Sequence, residues 1–459
     1  MAPNVDDEPL LKEAFRSLAD KPLSPGDRFY ESIYGRADGE NPVAKLQTRI
    51  EWSDDESLQL FSGFRGTGKT TELFRLRKEL EQKGYFVIYA DALEYISASE
   101  EIDIVTMLLS VAGAFSEQLE KDRIKTPGES YWKRFTKYLT DTTVEIDAIT
   151  AKGEVGLPAK ELIGELKAGV DLKMALKTAP SFRRKLNDFL SNRLNELKRE
   201  INTFIEEGVK SIRKEKKNPD LKIVFIFDQF EQLRGSRSDE QSVIQSVEKL
   251  FANHRDQLKL PYIHVVYTVP PWLQFVLPGA FSIETLPCVR LWNIDLKRSR
   301  DENGRTLLRE VISKRLGEES YHRILGEGQA GHDAANKLID MSGGHFRDLL
   351  RLFRETIVLI QTWSKTLPAS SEVLLRAIEN VRNEYLPIAI EDARWLKQIG
   401  EVRELSLPNS YPESIGRVSR FLDSHLVLFL KNGKDWYDIH PLIREEVSNL
   451  AKLPVPANG

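Results

Sequence analysis

The residues with the plainest chemical potential are Gly63–Thr71, GFRGTGKTT, in which Gly63, Gly68, Lys69 and Thr70 satisfy the spacing GxxxxGK[ST]. Glycines at such positions let successive backbone N–H groups turn toward an anion. The helical pattern that follows, TELFRLRKEL, would bring its positive end to the same point. Lys69 supplies a point charge for β and γ phosphates and Thr70 a hydroxyl for Mg²⁺, with Arg65, Gly66, Thr67 and Thr71 completing the cradle. A chance glycine turn is the plain alternative. It does not account for an apolar run, LQLFSG, feeding the loop and a helix leaving it.

A second group of candidates closes other apolar runs. IVFIFDQFEQL ends a buried-strand pattern on Asp228, whose carboxylate would stand near Mg²⁺ as a Walker B acid. Glu231, three residues on, would polarise an attacking water or else sit on the surface of the turn. Thr268 ends YIHVVYT and would offer its hydroxyl to a γ-phosphate at the carboxyl edge of a sheet, or is simply a β-former. In SGGHFRDLLRL paired glycines open a helix whose first turns carry Arg347, a candidate phosphate clamp; a solvated helix arginine is the alternative. His440, in YDIHPLIREEV, stands where a hairpin meets the last helix, and a lone histidine there is usually structural.

These residues need a sheet to position them. Five apolar or β-favouring runs alternate with helical segments: LQLFSG (58–63), YFVIYAD (85–91), IVFIFD (223–228), YIHVVYT (262–268) and CVRLWNI (288–294). They predict an α/β fold with a five-stranded parallel sheet. The gap between the second and third runs exceeds any ordinary crossover and predicts an inserted element at about residues 97–220. Within it, Val170, Leu172, Met174 and Leu176 alternate as in a short strand or hairpin. Apolar residues at three-to-four spacing over 181–216 predict one long helix, or two with a break near Gly208. Such a helix would pack on its own chain or pair with a partner.

Residues 1–50 read as an arm or linker with a short periodic piece near Leu10–Leu18, and 51–295 as the core. Residues 296–395 read as a helical lid. In 396–459 a helix leads to two apolar runs about Asn432-Gly433, a hairpin signal, and then to a last helix, the outline of a winged-helix domain.

The chain has 459 residues, room for about three domains. Its net charge of −4 excludes a generally basic, nucleic-acid-coating protein. A single cysteine, Cys288, excludes a disulfide framework or a multi-cysteine zinc site. The N-terminal residues lack the basic and apolar regions of a signal peptide, and no run is long enough to span a bilayer, so a cytoplasmic location is expected.

Taken together the motifs resemble the STAND branch of the AAA+-like P-loop ATPases, which includes NB-ARC and NACHT switches, over about residues 25–450. DQFEQL is similar to that family's Asp-x-x-(Asp/Glu) variant; AAA+ motors place Glu directly after the metal Asp, where this chain has Gln229. GGHFR looks like the Gly-Gly-x-Pro-Arg sensor-2 region shared with origin-initiator ATPases, with Phe346 in place of proline and Arg347 in the sensor role. DIHPLIRE is similar to the MHD-type motif, whose histidine, matched by His440, holds the ADP β-phosphate; Pro441 stands in place of the aspartate. The resemblance also implies an adenine-binding linker at Arg28–Tyr30 and an arginine-finger position near His254-Arg255.

The resemblance implies an ATPase of slow turnover using ATP/ADP and Mg²⁺. ADP would lock the winged helix on the core, and exchange would release it for homo-oligomer assembly or for a separately encoded effector. By analogy the biological role would be bacterial defence against phage or mobile DNA. The alternative is an initiator- or transposition-regulator-like ATPase binding DNA through the winged helix, for which Lys431, Lys434, Arg417 and Arg420 supply charge diluted by Asp435, Asp438, Glu445 and Glu446. A third is a scaffold that binds nucleotide without turnover.

Overall fold

Five short strands form one sheet: β1 (Ser57–Gly63), β2 (Phe86–Asp91), β3 (Ile223–Asp228), β4 (Ile263–Thr268) and β5 (Ile283–Leu286), in the order β2-β3-β4-β1-β5. The computed structural model describes residues 7–36, 40–124, 133–139, 141, 172–234, 239–277, 279, 282–295, 297–407 and 413–454. Its backbone divides into two units, one of Ala44–Ser62 with Leu76–Glu284, the other of Met1–Val43, Gly63–Arg75 and Thr285–Gly459.

In the first of these units β2, β3, β4 and β1 pair in parallel, with Asp91 opposite Asp228, Phe227 opposite Tyr267 and Phe61 opposite Thr268. Their carboxyl ends therefore finish level, which brings Asp228 and Thr268 to one edge. Every residue of β3 and β4 is buried, as expected of central parallel strands covered on both faces. The helix Ile104–Lys121 packs on the helix Leu194–Glu215, where Phe115 meets Phe204 edge-on at 6.1 Å. Gly208 lets the two approach: a Cβ there would collide with the Phe115 ring.

Three expectations for this region change. The described part of the expected strand at Val170–Leu176 is a helix, Leu172–Thr178, while Val170 lies outside the described residues. Leu, Lys, Met and Ala are strong helix formers, and Ala175 and Leu176 are buried while Met174 is exposed, which is no strand alternation. The long 181–216 pattern breaks at a 3₁₀ turn, Ser191–Arg193, between helices Pro180–Leu190 and Leu194–Glu215, and not at Gly208. The fifth strand is Ile283–Leu286 and not CVRLWNI. Pro287, which has no N–H, follows it. Beyond it Cys288 N–H donates to Phe429 O and Val289 N–H to Gly344 O, so the run's first backbone donors are spent outside the sheet.

His264, inside β4, is fully buried beside Ser57 Oγ, 3.1 Å from its Nδ1. Burial, with the Lys222 charge adding, lowers its pKa from 6.5 to about 4. Between those values the unfolded chain binds the extra proton, so stability falls as pH drops from about 6.5 to about 4 and is fully present above. We expect urea midpoints of the His264→Gln protein to fall less over that window than those of wild type. Parallel acid limbs would refute this.

The other unit is mostly helical: Glu302–Leu316, Glu318–Leu325, Gly328–Ser342, Phe346–Leu359 and Ser371–Asn383, then Ile390–Val402 and Glu413–Asp423. A hairpin follows, β6 (Val427–Lys431) and β7 (Asp435–Ile439), turning at Asn432-Gly433 as its sequence predicts, and then the helix Arg444–Leu450. Residues expected to be an arm include two helices, Asp7–Ser17 and Pro42–Trp52. The first buries Leu11 and Ala14 and packs on Glu302–Leu316 and Phe346–Leu359, with Arg354 over Phe15 at 4.1 Å. Among the described residues no helix is long and apolar enough to cross a membrane.

Candidate functional site

The loop Gly63–Thr71 runs from the end of β1 into the helix Lys69–Gln82, and Gly63, Gly66 and Gly68 all take positive φ. Thr67 closes the turn, its N–H and hydroxyl both donating to Phe64 O at 3.3 and 2.8 Å. Lys69 is buried, with Nζ donating to Gly63 O at 2.9 Å and Phe64 O at 3.2 Å. Its ammonium is thus folded back on the loop it would share with phosphates. The Tyr34 hydroxyl donates to Thr67 O at 2.9 Å, and Leu23 N–H donates to Thr71 Oγ1 at 3.0 Å. Tyr30, in the expected adenine linker, donates to Glu72 Oε1 at 3.1 Å; burial and then the Glu72 charge raise its pKa above the usual phenol value.

A parallel sheet with this loop leaving the carboxyl end of β1 and entering a helix decides the fold class. The fold is that of an α/β P-loop NTPase.

Within the same unit the start of the helix Phe346–Leu359 touches this loop. Arg347 N–H donates to Gly66 O at 3.2 Å, and His345 Nε2 lies 2.9 Å from Arg65 O, to which it must donate. Gly66 allows that approach: at φ +93° a Cβ would stand 2.6 Å from Arg347 Cβ. The Arg347 guanidinium pairs with Asp20 at 2.5 Å.

Behind His345 lies a buried polar cluster. Asp348 Oδ2 is 2.5 Å from His345 Nδ1 and 3.5 Å from His440 Nε2, and Arg351 donates to Oδ1 at 3.0 Å. Burial alone would raise the Asp348 pKa, but the His345 charge and hydrogen bond, with His440 adding, hold it well below the carboxylate range. His440 is fully buried, stacks on Tyr385 at 5.0 Å and accepts Leu442 N–H at Nδ1. Burial lowers its pKa, the Asp348 contact opposing. His440 therefore reaches the loop through Asp348 and His345. Burial, with the Asp348 charge adding, raises the Cys288 thiol far above neutrality.

The acidic candidates gather in the other unit. Asp228 is fully buried, its carboxylate accepting the Tyr89 hydroxyl at 2.6 Å and Gln229 N–H at 2.7 Å. Burial, then Asp228, Asp91 and Glu231, keep the Tyr89 hydroxyl protonated. Gln229 takes a left-handed φ of +69° and starts the turn that carries Glu231, which is 8% exposed and so no surface residue. Thr268 Oγ1 accepts Phe230 N–H at 3.1 Å, tying that turn to β4. Thr70 and Asp228 are hard oxygen donors, the type Mg²⁺ takes.

Sequence reasoning missed Tyr34, Tyr89, His345, Asp348 and His425. The His345/Asp348 spacing in GGHFRD was a readable signal, since residues three apart at a helix start share a face. His425, whose ring lies 4.1 Å from that of His345, offered none.

No family model and no curated protein matches the chain. Among solved structures it is similar to the Aeropyrum pernix ORC2 protein in ADPNP-ADP complexes, at 11% identity, covering 94% of this chain and 98% of that one with a TM-score of 0.38. It is similar to a Walker-type ATPase of Pyrococcus abyssi at 12%, covering 93% and 100% with a score of 0.36. To Cdc6p of Pyrobaculum aerophilum the values are 10%, 94% and 98%, and 0.35. Every score lies below 0.5, so the case for function is carried by the chain's own residues.

Proposed function

We propose that the chain is an ATP-binding, slowly hydrolysing switch of the STAND type, in which the state of the phosphate loop is read by the winged-helix hairpin. The observation that carries the reading is the chain of contacts from Arg65 O through His345 and Asp348 to His440 at the end of β7. A loop that must reorganise around phosphates cannot move its Arg65 carbonyl without disturbing His345. Two conformations that differ in those contacts would bind nucleotide differently, which is the requirement for a switch. Lys69 would exchange its two carbonyl partners for phosphate oxygens, Thr70 and Asp228 would hold Mg²⁺, and Glu231 would orient water. Arg347 would clamp phosphate after releasing Asp20.

The DNA-binding reading is less well supported. Lys431 pairs with Glu40 and Asp435 at 3.4 and 3.3 Å, Lys434 with Glu404 at 3.7 Å and Arg417 with Asp392 at 2.5 Å. Carboxylates beside these cations oppose phosphate, leaving little of the basic face that counterion release requires.

Asp228→Asn tests the assignment. Mg²⁺-dependent ATP hydrolysis is expected to drop at least about tenfold, with ATP binding in EDTA retained. Turnover equal to wild type across a Mg²⁺ titration would remove Asp228 from the site.

A further inference from the structure

We propose that His345, Asp348 and His425 form a transition-metal site of the Zn²⁺ class, separate from Mg²⁺ at a nucleotide and sharing His345 and Asp348 with the contact chain of the proposed switch. One ligand atom from each lies within 4.8 Å of the other two. The three residues are 0%, 0% and 7% exposed and come from two segments: His345 and Asp348 from the start of the helix Phe346–Leu359, and His425 from the link between Glu413–Asp423 and β6.

The surroundings set which atoms ligate. His345 Nε2–H is fixed on Arg65 O, so Nδ1 is the nitrogen turned to Asp348. A metal-binding histidine commonly uses its second nitrogen in this way, donating to a carbonyl that orients the ring. Arg351 occupies Asp348 Oδ1, so the cation would take Oδ2, in exchange for its present 2.5 Å contact with His345 Nδ1. His425 Nε2 is buried without a hydrogen-bond partner, a costly arrangement for an imidazole unless something sits against the ring. His440 is placed outside the set: its Nδ1 accepts Leu442 N–H, so Nε2 bears the proton and is no free ligand, standing 3.5 Å from Asp348 Oδ2 without a hydrogen bond.

Two nitrogens and one carboxylate oxygen suit Zn²⁺, Co²⁺ or Ni²⁺ and not Mg²⁺ or Ca²⁺, which take oxygen shells. Bonds of about 2.0 Å place tetrahedral ligands about 3.3 Å apart. The widest separation must therefore close by a side-chain rotation, and the 2.5 Å His345–Asp348 contact must open. The single proton shared by Nδ1 and Oδ2 leaves to solvent as the cation enters. No electron is transferred.

The test uses the full chain, freed of nucleotide and treated with chelator, titrated with Co²⁺ and followed by absorption. Expected are d–d bands that saturate at one equivalent and vanish on adding Zn²⁺. Asp348→Asn, His425→Gln and His425→Asn, compared where circular dichroism keeps wild-type helix content, are expected to weaken Co²⁺ binding at least about 10–100-fold. The exposed-histidine change His332→Ala leaves it unaltered. Absence of the bands in wild type overturns the site whatever the variants do. Wild-type-like bands in folded His425 variants overturn it as well.

Discussion

ATP turnover by the Lys69→Ala protein is expected to fall about 100- to 1,000-fold, to the level of a blank. The ammonium is the one cation inside the loop itself besides Arg65, and it is already desolvated: Lys69 is 4% exposed. A charge preorganised in a dry loop stabilises developing phosphate charge without first shedding water. Alanine also removes the two bonds to Gly63 O and Phe64 O, so the empty loop loses a tie. Those loop contacts contribute to stability, whereas the phosphate contact contributes to binding. Fluorescent ATP-analogue titration beside a thermal melt therefore separates the roles. Unchanged nucleotide affinity and turnover in a folded Lys69→Ala protein would sink the site.

The second large effect is on stability. Asp438, 1% exposed on β7, accepts from Arg298 at 3.1 and 3.0 Å, Arg403 at 2.6 Å and Arg444 at 2.9 Å. Burial lowers the Arg444 pKa to about 10 with Asp438 opposing, and burial likewise lowers that of Arg403. Asp438→Ala leaves these guanidinium groups together with no shared carboxylate. Breaking a buried pair in this manner costs about 3–5 kcal/mol. For a unit of this size that corresponds to about 6–20 °C in melting midpoint. Calorimetry on wild type and Asp438→Ala decides: midpoints within a degree or two would show the cluster contributes nothing net.

The same aspartate shows what sequence reading can and cannot reach. In DWYDIHPLIRE it read as an acid diluting a basic face, because two of the three arginines that surround it, Arg298 and Arg403, lie far off in sequence and only the fold brings them beside it. Four of the five strands were legible, since parallel strands buried on both faces are continuous apolar runs. The fifth was misplaced by a few residues: CVRLWNI is as apolar as a strand, but its donors at Cys288 and Val289 bond to Phe429 and Gly344, partners distant in sequence. The phosphate loop was legible because its chemistry is local, with nine consecutive residues carrying glycines, lysine and hydroxyls. The cluster behind it was not. His345, Asp348, His425 and His440 span almost a hundred residues, and periodicity carries no record of polar side chains meeting inside a core.

The measurement that bears most directly on the ATPase-switch account is the nucleotide carried by the purified full chain. Protein prepared without added nucleotide is denatured, and the released compound is identified and quantified by chromatography. The account predicts near-stoichiometric ADP, held by the closed loop and its His345 contact. A chain that carries none, and that takes up neither ATP nor ADP at millimolar concentration with Mg²⁺, would contradict it.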